Sequence, residues 1–220
     1  MKDRDSIPRA TIERLPLYYR SLDKLVTFEE MEVVSSKELG GRLDIPSTQV
    51  RKDLSYYGEF GRRGVGYNVK DLKKSIGKIL GVHKKWPAVL VGAGNLGRAL
   101  VNYGGFKKMG LKITEIFDND LNKIGNKVAN ITVKSTKKLK STNKFDNIKL
   151  GVITVPADAA QQAAELMIDA GIKAIWNFAP TRLYVPEDVA VRNEDLAVGI
   201  VSLIYHLSWQ EDKENNQSDS

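Results

Sequence analysis

Residues 88–100, Ala-Val-Leu-Val-Gly-Ala-Gly-Asn-Leu-Gly-Arg-Ala-Leu, constrain the fold of this chain more than any other segment. An apolar run leads directly into Gly92-Ala93-Gly94-Asn95-Leu96-Gly97, and a helix-forming stretch follows. A strand that ends on G-x-G-x-x-G and turns at once into a helix is the setting in which this spacing binds a dinucleotide. Gly92 permits the tight turn, Gly94 lets the backbone approach a pyrophosphate, and Gly97 lets helix and strand pack closely. The helix start offers free N–H groups and positive dipole character to phosphates. An acidic residue is expected about 20 positions further on, and Asp118 follows the next expected strand, Ile113–Phe117. Its carboxylate would accept hydrogen bonds from the adenine ribose hydroxyls and repel a 2′-phosphate. No arginine occurs in Asn119–Asn122, so NADH and NAD+ are favoured over their phosphorylated forms.

Further strands are expected at Ala88–Val91, Asn130–Val133, Leu150–Val155 and Ala174–Asn177. Helices are expected at Asn95–Tyr103 and Ala157–Ala170. The alternation predicts an α/β domain with a Rossmann-type parallel sheet over residues 88–192. Ligands bind outside the carboxyl ends of such strands. Thr154-Val155-Pro156 and Asn177-Phe178-Ala179 are therefore candidate cleft residues, though either segment would serve equally as a structural turn.

Residues 1–80 read differently, and residues 81–87 read as a linker. Ile12, Leu15, Tyr19, Leu22 and Val26 are spaced as one face of a helix over 9–27, with Pro16 marking a start or a kink. Ser35 and Glu38 suit a capping box at the head of a second helix. After Asp44-Ile45-Pro46, Ser47 is a candidate cap for a third helix running to Tyr57. Four glycines in Gly58–Tyr67 then predict a hairpin, followed by a helix over 70–80. Three helices and a hairpin outline a winged helix-turn-helix. On the third helix Val50, Leu54 and Tyr57 share one side, whereas Thr48, Arg51, Lys52, Ser55 and Tyr56 share the other. That outer face suits phosphates and base edges of double-stranded DNA, and Arg62 and Arg63 sit where a wing reaches a minor groove.

The charge distribution agrees with this assignment. Of the net +7, Lys and Arg outnumber Asp and Glu by 18 to 12 in residues 1–85 and by 16 to 15 in the remainder. The absence of cysteine excludes disulfides, thiolate nucleophiles and thiol-based redox sensing, and two distant histidines, His83 and His206, argue against a metal site. No run approaches membrane-span length and the N-terminus lacks a signal-peptide core, so a cytoplasmic location is expected, with no membrane partner. A dehydrogenase would need a proton donor and a substrate anchor. Neither is evident, so the cofactor is expected to act as a signal, with no catalytic residue and no small-molecule substrate. An NAD-dependent enzyme and a CoA- or nucleotide-binding subunit are the rival readings. Leu196–Leu207 is apolar around most of its circumference, which suits burial between two subunits. A C-terminal dimerisation helix over 193–209 and a disordered tail over 210–220 complete the expected organisation.

The segments Gln49-Val50-Arg51-Lys52-Asp53-Leu54-Ser55-Tyr56, Gly58-Glu59-Phe60-Gly61, Arg63-Gly64-Val65-Gly66-Tyr67 and Gly92–Gly97 together resemble the redox-sensing transcriptional repressor family Rex. The resemblance implies a homodimer whose C-terminal helix is swapped into the partner subunit. It also implies repression of fermentative and anaerobic respiratory genes through a palindromic operator, with release of DNA when NADH rises against NAD+. DNA-binding positions are then Ser47, Thr48, Gln49, Arg51, Lys52, Ser55, Tyr56, Arg62, Arg63 and Tyr67. Cofactor positions are Gly92, Ala93, Gly94, Asn95, Leu96, Gly97, Tyr103, Asp118, Thr154, Val155, Pro156, Asn177, Phe178 and Ala179. The family's switch residues match Arg20, Tyr103 and Asp195, with Gly104 where many relatives carry proline.

Overall fold

The computed structural model describes residues 6–62, 64–146 and 148–218. It divides into two compact units, Met1–Lys84 and Lys85–Ser220.

In the first unit, helices α1 (Arg9–Phe28), α2 (Ser36–Gly41), α3 (Ser47–Ser55) and α4 (Val69–Leu80) enclose one core. Strands β1 (Val33–Val34), β2 (Gly61–Arg62) and β3 (Gly66–Asn68) form a small antiparallel sheet in the order β1-β3-β2. The α1 stripe that is buried is Thr11, Leu15, Tyr18, Leu22 and Leu25, while Ile12 is exposed. These positions follow the alternating 4-and-3 spacing of a helix face; Leu15 and Leu22 of the expected stripe are central to it, Tyr19 and Val26 pack at its edge, and Ile12 alone faces out. Pro16 neither starts nor ends α1, which runs from Arg9 through it. The capping box at α2 is present, with the Glu38 N–H donating to Ser35 Oγ at 3.0 Å and the Glu38 carboxylate receiving the Ser35 N–H. Ser47 is not the cap of α3. Pro46 occupies that place without a side-chain hydrogen bond, its ring fixing the extended backbone from which the helix starts. Asn68 caps α4, and Gly81 ends it at φ +73°, a conformation that costs glycine little. The wing is shorter than the expected hairpin and gains β1 as a third strand; Arg63 lies outside the described residues.

The second unit carries a seven-stranded sheet in the order β10-β9-β8-β4-β5-β7-β6. The strands are β4 (Trp86–Val91), β5 (Leu111–Asp118), β6 (Lys127–Val128), β7 (Ile131–Ser135), β8 (Leu150–Ile153), β9 (Ala174–Asn177) and β10 (Ala190–Asn193). All neighbours run parallel except β6, which pairs antiparallel to β7. The helices are α5 (Asn95–Asn102), α6 (Gly105–Lys108), α7 (Leu139–Asp146), α8 (Ala157–Asp169) and α9 (Leu196–Ser218). Strand β4 accounts for the architecture. Val89 and Val91 enter one core with Phe117, Ile153 and the α8 residues Ala160, Ala164 and Met167. Ala88 and Leu90 enter a second core with Ile116, Val133 and Val152, against which Leu100 and Val101 of α5 pack. A strand buried on both faces is apolar without alternation, as its sequence is.

Helix α9 departs from expectation, continuing through Ser218 where a disordered tail over 210–220 was expected. The charged and amide residues there are adequate helix formers once a preceding helix supplies the nucleus. Lys213 lies over the Trp209 ring one turn back, 3.8 Å from its centroid. The apolar side chains of α9 are exposed in the single chain, from Leu196 and Val198 to Leu207 and Trp209.

Candidate functional site

In the second unit, the chain turns sharply where β4 meets α5. Gly92 sits at φ +108°, and a Cβ there would lie 2.7 Å from the Thr154 carbonyl. A Cβ on Gly97 would lie 2.1 Å from the Gly92 oxygen, so helix and turn touch as the motif requires. Gly94 has open space where a Cβ would stand, leaving its backbone accessible. The first intrahelical bond of α5 runs from the Arg98 N–H to the Gly94 carbonyl. The N–H groups of Asn95, Leu96 and Gly97 thus have no acceptor within the helix.

A cleft of about 870 Å³ opens at these strand ends, within the size range of ligand sites. Its walls include Gly92, Gly94, Asp118, Thr154, Val155 and Pro156, all expected, together with Asn119, Asp120, Lys123, Thr136, Lys137, Asp158 and Gln162, which were not. Thr154 Oγ1 donates to the Gly92 carbonyl at 2.8 Å and braces the turn. Asp118 ends β5 almost wholly buried. It accepts the Ala93 N–H at 2.7 Å on Oδ2 and the Asp120 N–H at 2.9 Å on Oδ1, with Lys123 Nζ 3.3 Å from Oδ2. Burial opposes its charge, but the Asp120 and Ala93 N–H groups and the Lys123 ammonium outweigh it and hold its pKa below the usual range.

Four other expected cofactor positions lie outside these walls. Asn177, Phe178, Ala179 and Tyr103 do not line this cleft. Asn177 is fully buried, and its amide donates to the Ala179 and Thr181 carbonyls and to Asn193 Oδ1 while its carbonyl accepts the Ala179 N–H. It is a structural staple joining the ends of β9 and β10. Ala179 is core. Phe178, Trp176, Phe106 and Tyr103 form a chain of rings with successive centroids 4.6, 5.5 and 4.8 Å apart. Tyr103 is otherwise exposed, and Asp195 accepts the Ala197 N–H at the head of α9. Arg20 belongs to the first unit, beside Lys24 and Arg42.

In the first unit, a groove of about 660 Å³ runs between α3 and the wing, lined by Ser36, Arg51, Ser55, Arg62 and Tyr67 among others. Thr48, Arg51, Lys52 and Ser55 are exposed, while Ser47 and Tyr56 are half-buried. Arg51 Nη1 donates to Ser36 Oγ at 2.9 Å, which steers the guanidinium along the groove. Burial pushes the Tyr67 hydroxyl pKa up, against the pull of the Arg51 charge. Gln49 is less available than expected, because its amide donates to Asp53 Oδ1 at 2.8 Å.

That bond is part of a cluster that sequence reasoning missed. Asp53 is fully buried and also accepts from Thr11 Oγ1 at 2.9 Å, Tyr18 Oη at 2.7 Å, and Arg14 Nε and Nη2 at 2.6 and 2.8 Å. The burial alone would raise the carboxyl pKa, but these donors hold it at about 2. A carboxylate on the core-facing side of α3, between Val50 and Leu54, was the available signal. Its partners lie up to 42 residues away, and no spacing rule identifies them.

Comparison with known proteins agrees with both units. The family model described as "CoA binding domain" matches residues 83–181, and the one described as "Putative DNA-binding protein N-terminus" matches residues 6–55. The chain is 48% identical over 205 residues to the redox-sensing transcriptional repressor Rex of Desulforamulus reducens, covering 93% of this chain and 97% of that protein. It is 47% identical over 204 residues to Rex 1 of Thermotoga maritima, covering 92% and 97%. Among solved structures, RSP in complex with β-NAD+ and operator DNA matches with a TM-score of 0.88 at 36% identity, covering 97% of this chain and 98% of that one. RSP in complex with β-NADH matches with a TM-score of 0.86 at 35% identity, covering 96% and 98%.

Proposed function

Because the chain belongs to the Rex family of redox-sensing transcriptional repressors, we propose that its two units couple an operator-binding surface to a dinucleotide cleft. The chain is a DNA-binding repressor that senses the balance of NADH and NAD+, holding its operator when NADH is low and releasing it when NADH binds. It is a regulator and not an enzyme, and the nucleotides are its regulatory ligands. The observation that carries this reading is the joint presence of the α3–wing groove and the Gly92–Gly97 turn in a chain that matches RSP over nearly its full length.

At the cleft, the N–H groups at the start of α5 and the exposed Gly94 backbone suit a pyrophosphate. Asp118 suits the adenine ribose, and Thr154–Pro156 form the opposite wall. At the groove, Arg51 and Lys52 supply the cations, Arg51 with the planar fork that matches guanine O6 and N7. Thr48, Ser55, Tyr56 and Arg62 surround them, with Arg63 assigned to the same wing from sequence. Arg20, Tyr103 and Asp195 are the proposed switch, since they mark the first unit, the end of α5 and the root of α9.

The assembly is a homodimer in the cytoplasm. In its support, α9 exposes Val198, Ile200, Val201, Leu203, Ile204 and Leu207, far more apolar surface than a helix retains in water. A second copy of the chain covers such a helix and gives the two-fold symmetry a palindromic operator needs. NADH acts by its differential affinity for two dimer shapes, only one of which presents the α3 helices at the separation of successive major grooves, about 34–36 Å.

An operator-retention assay tests the function. Excess NADH should free the DNA, whereas unchanged retention overturns the sensor reading. Steady NADH oxidation with a panel of oxo-acids and aldehydes would instead favour an enzyme.

A further inference from the structure

The adenosine end of the cleft contains more charge than ribose recognition requires. Asp118 has about four lone-pair positions on its two oxygens. Three are taken by the Ala93 N–H, the Asp120 N–H and Lys123 Nζ. A ribose presents two neighbouring hydroxyl donors, so one of the present donors must withdraw before both are accepted. The two backbone N–H groups are fixed by the Gly92 turn and by the chain after β5. The lysine is free to yield. Its contact is the longest of the three at 3.3 Å, and its side chain is about one-third exposed. Asp120 Oδ2, 3.5 Å from the same ammonium, keeps it at the cleft when it moves. Lys137, which follows β7 in the chain, lines the same cleft as a second cation.

We propose that Lys123 is a specificity-determining residue that sets how strictly the cleft rejects a 2′-phosphate on the adenine ribose. This rests on reading the cleft as the NADH site. A bare carboxylate at the end of β5 repels a phosphate carried on the hydroxyl it would otherwise accept. Here the repulsion from Asp118 and Asp120 is offset by an ammonium that the arriving ribose itself displaces. Lys123 is then placed to pair with the phosphate, as a compact charge on a flexible stem. The cleft still prefers the unphosphorylated nucleotide, because both carboxylates remain, but by a smaller margin than Asp118 alone would impose.

The test is equilibrium binding of NADH, and of NADPH by displacement of NADH up to millimolar concentration, to the full chain. The variants are Lys123→Met and Lys123→Arg. The ratio of the NADPH to the NADH dissociation constant should rise about fivefold in Lys123→Met, the size of one partly exposed charge pair at the upper end of the usual range. NADH affinity, measured on the same variants, is the denominator of the ratio, and Lys123→Arg, which keeps the positive charge, should hold the ratio at or below that of the unaltered chain. High salt should weaken NADPH binding more than NADH binding. An unchanged ratio in Lys123→Met overturns the proposal, as does an unaltered chain that binds NADH but no NADPH at millimolar concentration. Failure of the unaltered chain to bind NADH overturns the reading of the cleft instead.

Discussion

Replacing Asp53 with asparagine removes one charge from the first unit while keeping the shape of the side chain. The carboxylate receives hydrogen bonds from Thr11, Arg14, Tyr18 and Gln49 and has no exposed surface. In the variant, the Arg14 guanidinium loses its counter-charge, and an amide NH2 faces groups that all donate to the native carboxylate. Breaking a buried pair costs about 3–5 kcal/mol. Arg14 retains a quarter of its side-chain exposure, so water recovers part of that, and about 3 kcal/mol is expected. Linkage gives a consistent size. The carboxyl falls from 3.8 to about 2 on folding, which corresponds to about 2 kcal/mol. Since the folded value is the lower one, that stability is present above about pH 4 and is lost as the pH falls toward 2. The three tryptophans, Trp86, Trp176 and Trp209, all lie in the second unit. Urea unfolding followed by far-ultraviolet circular dichroism and by tryptophan emission therefore separates the two units. Asp53→Asn should shift only the transition that tryptophan does not see, and should weaken operator binding with NADH affinity intact. A shift under about 1 kcal/mol, or one that also moves tryptophan emission, would refute the reasoning.

Three other perturbations have distinct expected outcomes. Gly97→Ala forces a methyl to within 2.1 Å of the Gly92 oxygen; it should abolish NADH binding in fluorescence titration and destabilise the second unit by about 1–3 kcal/mol, and near-normal binding would contradict the close-packing role. Arg51→Ala with Lys52→Ala should lower operator affinity and flatten its salt dependence, since each phosphate contact contributes about one unit of slope, with NADH affinity unchanged. Asn177→Ala leaves the Asn193 side-chain carbonyl and the backbone carbonyls of Ala179, buried, and Thr181, half-buried, short of a donor, so the second unit should lose about 1–3 kcal/mol in thermal or urea unfolding; a smaller loss would mean that water replaces the staple.

The features legible in the sequence were those set by local chemistry. The Gly92–Gly97 turn, the capping box at Ser35 and the polar outer face of α3 each follow from residues within one or two turns of one another. Residues brought together from distant segments were not legible. Lys123 and Lys137 reach one cleft from segments before and after β7 in the chain, and the Asp53 cluster joins α1 to α3 across 42 residues. The hydrogen bonds of Asn177 were hidden for the same reason. A strand-end asparagine looks alike in sequence whether it faces a ligand or its own turn, and only Asn193 and Thr181 decide between them. Short elements also escaped, including β1, β6 and β10, each of two to four residues and without a periodicity to detect.

The central claim is that operator and NADH oppose each other through one protein, and linkage makes this quantitative. The decisive measurement is the NADH dissociation constant of the chain with and without saturating operator, paired with the operator dissociation constant with and without saturating NADH, at one stated salt concentration. The account predicts that each ligand weakens the other by the same factor, well above tenfold. Independent binding, with both factors near one, would contradict it.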